Sequence, residues 1–199
     1  MRRLGACLAL AALVGTPAAA EPLSISCDGP VRADSTPSSL VKALGKAEAK
    51  TEQVDGAEGE TIEATVLHPN DPARRVEVVW SDDDKKTGAQ AIVRGDSKVS
   101  VAGLSVGSDL AAVEAVNGKP FALSGFGWDM GGYVTDWKGG KLTKLPGGCF
   151  LSVQFGYAED APEKIVDRVS GDRSFSSSDK AMKAARPMVQ SLTLGWPAR

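Results

Sequence analysis

Five stretches of the chain alternate apolar and polar residues with a period of two, and that pattern confines it to antiparallel sheet with one covered face. In residues 60–67, Ile62, Ala64 and Val66 point one way while Thr61, Glu63 and Thr65 point the other. In 75–80, Val76, Val78 and Trp80 share a face, and 89–94 is a shorter repeat of the same pattern. Residues 149–157 alternate over their whole length, with Cys149, Leu151, Val153, Phe155 and Tyr157 expected inward. A closing strand carries Leu192, Leu194 and Trp196. Further strands are expected at 23–27 and 133–137, with turns at 56–59 and 82–86 and a hairpin turn at Gly139-Gly140.

Helix signals are short and separate. Thr36-Pro37 supplies an N-cap and a first-turn proline, Leu40, Val41 and Leu44 form an apolar face, and Gly45 ends it. Ser108 is the expected cap of a helix over 109–116, with Leu110, Val113 and Val116 on one stripe and Asn117-Gly118 as the stop. Two more helices are expected near 160–169 and 178–186, the second stopped by Pro187. No strand–helix–strand spacing appears, so the sheet is not expected to be parallel. The fold class is therefore α+β: antiparallel sheet or sheets with short helices packed on one side. Aligning Gly45 with Gly118 also aligns Lys46 with Lys119 and Leu40 with Val113, which suggests two related tandem halves, 21–103 and 104–199.

The first twenty residues are an address. Arg2 and Arg3 precede a short apolar core, Gly15-Thr16-Pro17 breaks it, and Ala18-Ala19-Ala20 offers a cleavage site before Glu21. The apolar run is too short to span a bilayer. The expected mature protein is periplasmic or secreted, cleaved after Ala20, with no transmembrane segment. Cys7 lies ahead of most of the apolar core and so is not a lipid-attachment cysteine. Removing twenty residues from 199 leaves 179, with 21 basic residues facing 25 acidic ones, about −4. That balance, with no basic stripe, argues against a nucleic-acid partner. The remaining cysteines, Cys27 and Cys149, are expected to form one disulfide in an oxidising compartment. No metal or other cofactor is expected: His68 is the sole histidine, and the Asp82-Asp83-Asp84 run lacks calcium-loop spacing.

The spacing Gly107, Val113, Gly118, Pro120 resembles the helix-turn segment of the SmpA/OmlA-type outer-membrane assembly lipoproteins and of the β-lactamase inhibitory protein domains. The resemblance covers residues 107–120. It implies helices packed on a small antiparallel sheet, and a protein that acts by binding other proteins. The chain as a whole, with its Gly-Phe-Gly-Trp-Asp stretch, also looks like uncharacterised exported proteins of proteobacteria, which implies a periplasmic location.

Residues 125–137 form the most unusual segment. Phe121, Phe126, Trp128, Tyr133 and Trp137 are five of the eleven aromatics of the chain, and glycines interleave them. Glycine permits close backbone approach, and aromatics supply contact area at low entropy cost. The expected binding residues are Phe126, Trp128, Asp129, Tyr133 and Trp137, contacting a protein or another envelope component, with no catalytic activity. Two other readings stand beside this one. Asp129 and Asp136 would serve a glycan hydrolase as a carboxylate pair, or the aromatics would simply fill the core of a structural protein. Gly103-Leu104-Ser105-Val106-Gly107 matches a nucleophile-elbow pattern, but His68 lies upstream and no parallel sheet is expected.

Overall fold

The computed structural model describes residues 23–196 apart from Asp83, so the leader and its cleavage site lie outside the described residues. In chain order the elements are β1 (Ser24–Ile25), α1 (Pro37–Leu44), β2 (Ala49–Asp55), β3 (Thr61–Leu67), β4 (Val76–Val79), β5 (Gln90–Arg94), β6 (Ser100–Val101), α2 (Leu110–Asn117), β7 (Ala122–Ser124), β8 (Val134–Asp136), β9 (Phe150–Gly156), α3 (Glu163–Arg168), β10 (Ser174–Ser176), α4 (Lys180–Ala184) and β11 (Met188–Gly195). Six strands form an antiparallel sheet in the order β2-β3-β4-β5-β11-β9. A second antiparallel sheet has the order β10-β7-β8. Short helices on an antiparallel sheet confirm the α+β class. Parallel pairing among the described residues is confined to a two-residue contact between β1 and β6 and an isolated bridge between Phe126 and Ser170. Because β11 lies between β5 and β9, strands from both sides of residue 104 share one sheet.

The alternation places the core. Val76, Val78, Ala91, Val93, Leu151, Val153, Phe155, Leu192 and Leu194 are buried on one face of the large sheet. Leu40 of α1, Val113 of α2 and Met182 of α4 join the same cluster. Cys27 and Cys149 are bonded, with Cα atoms 5.4 Å apart, which ties the residue after Ser26 to the start of β9. Tyr157 departs from its expected inward position and is 42% exposed, because β9 ends at Gly156.

Local chemistry explains the helix ends. Thr36 caps α1 in a reciprocal box with Ser39, as the sequence leads one to expect, with Pro37 in the first turn. For α2 the cap is Asp109, not Ser108. The Asp109 carboxylate accepts the Ala112 N–H at 2.7 Å, while the Ser108 hydroxyl accepts the Ser105 N–H at 3.1 Å. Gly118 closes α2 in the left-handed region, at φ 83°. Gly139-Gly140 does turn the chain after β8, but into a 3-10 turn over Lys141–Thr143 and not into a hairpin strand.

One end of the large sheet is curled. The Arg94 guanidinium on β5 donates to the Asp55 carbonyl at the end of β2 at 2.7 Å. Three strand spacings in a flat sheet would span about 14 Å, beyond the reach of one side chain. Arg75 also reaches Glu52 of β2 at 3.1 Å. Ile62, Ala64 and Val66 therefore point into this concave side, away from the main core. There Ala64 and Val66 form a separate small cluster with Val54, and Val79 packs against it, while Ile62 is exposed. The charged Glu77 belongs to the same concavity. It is 7% exposed and is gripped by Arg75 at 3.2 Å and Arg94 at 2.6 Å. Removing a buried carboxylate leaves two guanidinium groups facing each other with less solvent than they need. Glu77→Gln is expected to lower unfolding free energy by about 2 kcal/mol, less than for a fully buried pair because both arginines are partly hydrated. Urea unfolding of the oxidised protein reads this directly; an unchanged midpoint would show the network to be ornamental.

Candidate functional site

Residues 125–133 leave β7, meet the free edge of β9 at Tyr133 and Gln154, and return into β8. Backbone bonds anchor this loop on several sides. Gly125 donates to the Arg173 carbonyl at 2.8 Å, Phe126 donates to Val169 at 2.9 Å, and Gly171 donates back to Phe126 at 2.8 Å. On the β9 side, Phe155 donates to the Gly132 carbonyl at 2.9 Å. Inside the loop, Gly131 donates to Trp128 at 2.8 Å, and the Tyr133 N–H donates to the Ser124 hydroxyl at 3.1 Å. The glycines serve these approaches within the chain. A Cβ on Gly125 would meet the Val169 carbonyl oxygen at 2.8 Å, and one on Gly132 would overlap the Phe155 carbonyl.

The expected binding residues divide. Trp128 is 38% exposed, and its Nε1 donates to the Gly125 carbonyl at 2.9 Å, so the indole is displayed in a fixed orientation. Asp129 and Met130 are exposed beside it, and Tyr133 is half-buried. Phe126, by contrast, is only 3% exposed. Its ring meets Tyr157 edge-on, with centroids 5.5 Å apart, so it supports the surface and does not form it. Trp137 is half-buried against Phe121, with centroids 5.4 Å apart, and its Nε1 points to the Leu151 carbonyl at 3.4 Å.

Two hollows flank Trp128, and its side chain belongs to both. One, about 370 Å³, is lined by Trp128, Gln154, Tyr157, Glu159 and Gln190, with Phe126, Phe155 and three glycines beneath them. The other, about 350 Å³, is lined by Ser124, Met130, Tyr133, Thr135, Asp172, Arg173 and Ser174 together with Trp128. Neither hollow includes Asp129 or Asp136. Asp136 accepts the Lys138 backbone N–H at 2.6 Å and pairs with its ammonium at 3.0 Å. These contacts hold its carboxyl below the ordinary carboxylate range. Asp136 is thus suited only to the ionised role of such a pair, and neither carboxylate lines a hollow beside Trp128. His68 is engaged by Glu48 at 2.6 Å, and Asp82 accepts the backbone N–H groups of Thr87 and Lys86. Among the described residues no cluster of three His, Cys, Asp or Glu side chains could hold a metal ion.

The residues that sequence reasoning missed lie on β9, on the segment just after it and on β11. Gln154, Tyr157, Glu159 and Gln190 have no motif in common, and only the pairing of β9 with β11 brings them to the loop. A larger cleft of about 570 Å³, also unforeseen, lies between the start of α2 and the α4–β11 junction, walled by Leu110, Ala111, Ala158, Pro187 and Met188. At its rim the Asp109 carboxylate is taken up by the helix cap and Arg186 is bonded to Asp160. No family model, no curated protein and no solved structure matches the chain.

Proposed function

We propose that this is an exported binding protein without catalytic activity, acting in the periplasm or outside the cell and engaging a protein or another envelope component through the surface around Trp128. One observation carries the reading: a large aromatic side chain is displayed to solvent on a loop whose backbone is bonded to β9 and to residues 169–173. Displaying an aromatic on an ordered pedestal limits the entropy lost on binding, and aromatics of this kind dominate contact energies. Export is supported by the Cys27–Cys149 disulfide, which suits an oxidising compartment, and by the leader-like pattern of residues 1–20. No helix among the described residues is long and apolar enough to cross a membrane.

The test compares oxidised wild-type protein with Trp128→Ala as baits in an envelope extract. A component retained by wild type and lost by the variant is the expected result. Trp128→Ala is expected to cost only about 1 kcal/mol of stability, since the indole is partly hydrated already. Acrylamide should quench wild-type fluorescence more than that of Trp128→Phe. Identical retention by the two baits, or a large stability loss with quenching unchanged, would turn the surface reading into a core-packing one.

A further inference from the structure

We infer that the hollow between Trp128 and Tyr157 seats a neutral saccharide unit of a glycan chain; the inference rests on the binding reading above and names its ligand class. The argument begins with a single extra residue. β11 pairs with β9 at Val189↔Phe155 and then at Ser191↔Gln154, so Gln190 is the bulged residue. A bulge re-aims a side chain that regular pairing would direct elsewhere. Here the Gln190 amide lies across Gly156, where any Cβ would overlap it. Glycine at 156 and the bulge at 190 together place one carboxamide in the floor of the hollow.

The rest of the lining has matching chemistry. Trp128 and Tyr157 are exposed aromatics of the lining, one held by the Gly125 carbonyl and the other by the Phe126 ring. Gln154 is oriented by its own bonds, donating to the Gly131 carbonyl at 3.2 Å and accepting the Ser191 hydroxyl at 3.4 Å. An amide both donates and accepts, as a sugar hydroxyl does. A pyranose ring has an apolar C–H face that packs on an aromatic and a rim of hydroxyls that needs such partners. Glu159 is the one charged side chain of the lining, and no lysine or arginine joins it. Phosphorylated, sulfated or carboxylated ligands are therefore disfavoured. The volume, about 370 Å³, falls within the range of small-ligand sites. Trp128 also borders the second hollow, which leaves room beside the seated unit for the next one of a chain.

The experiment is an array of neutral and acidic oligosaccharides probed with the full oxidised protein, its Trp128→Ala and Gln190→Ala variants, and, as a remote control, Lys42→Ala at an exposed position of α1. The expected result is binding to neutral members, lowered about tenfold by Gln190→Ala and more by Trp128→Ala, with Lys42→Ala unchanged. A lost hydrogen bond has about that effect on affinity. Matching thermal transitions of wild type and Gln190→Ala exclude a folding defect. Preference for acidic members, or neutral binding indifferent to Gln190 and Trp128, overturns the inference. Absence of glycan binding together with Trp128-dependent retention of a protein overturns the saccharide but leaves the binding role. Absence of both removes the two together.

Discussion

Replacing both cysteines, as Cys27→Ala with Cys149→Ala, is expected to lower unfolding free energy by about 4–5 kcal/mol relative to the oxidised protein. The bridge spans 122 positions of sequence, and closing so long a loop removes much of the freedom of the unfolded chain. The native side of the balance favours a large effect too. β1 contributes only two residues to pairing, with β6, so the N-terminal stretch is held chiefly by burial of Ile25 and Val31 and by the Trp80 indole donating to the Ser35 carbonyl at 2.8 Å. Urea unfolding should show a lower midpoint and a steeper dependence on denaturant, because the unlinked chain expands further. A loss below about 1 kcal/mol would mean that the unfolded state is already compact around this pair.

Where residue pattern alone decides geometry, the fold could be read from the sequence. β4, β5, β9 and β11 were legible because alternation over a half-covered face leaves an unambiguous period. α1 was legible because Thr36, Pro37 and Gly45 each have one structural use there. β2 was not, since an edge strand needs only Ala49 and Val54 buried and otherwise reads as polar coil. β7 and β10 are three residues each, too short to show a period. Ile62, Ala64 and Val66 do share a face, as their alternation predicts, but the interior that this face meets was not legible. Alternation tells which residues share a face but not which face meets the main core, and the curl of β2–β5 provides a second apolar interior.

The site was half legible for the same reason. Trp128 could be singled out because glycine and aromatic residues crowd one segment. Which of those aromatics are displayed depends on what lies behind the loop, and that is set by β9. Phe126 points down onto Tyr157, so the residue that emerges at the surface is Tyr157, at a position whose alternation reads as inward-facing. Gln190 has no local signature because a bulge is a property of two strands in register. Sequence reasoning finds chemistry concentrated along the chain; here half of the candidate site is assembled across it.

Gly132→Ala is expected to destabilise the protein by about 4 kcal/mol, from two causes of similar size. Gly132 adopts φ 76°, and a non-glycine residue held in that region costs about 1–3 kcal/mol. The added methyl also overlaps the Phe155 carbonyl and meets the Phe126 ring at 3.0 Å, and such overpacking costs about 1–3 kcal/mol more. Gly127→Ala separates the two causes. Gly127 has a similar φ, 80°, but its nearest neighbour to an added Cβ is the Ser170 hydroxyl at 3.7 Å. It should therefore lose only the conformational part, about 2 kcal/mol. Relief of the Gly132 clash would require the loop to lift from β9, breaking the bond from Phe155 to Gly132 and separating Trp128 from Gln154 and Gln190. Gly132→Ala should therefore also weaken binding at Trp128 at temperatures where the variant is still folded, whereas Gly127→Ala should not. Paired denaturation and binding measurements on the two variants decide the point. Equal losses in both would show that backbone strain alone sets the role of these glycines, and that the close approach of the loop to β9 does not order the site.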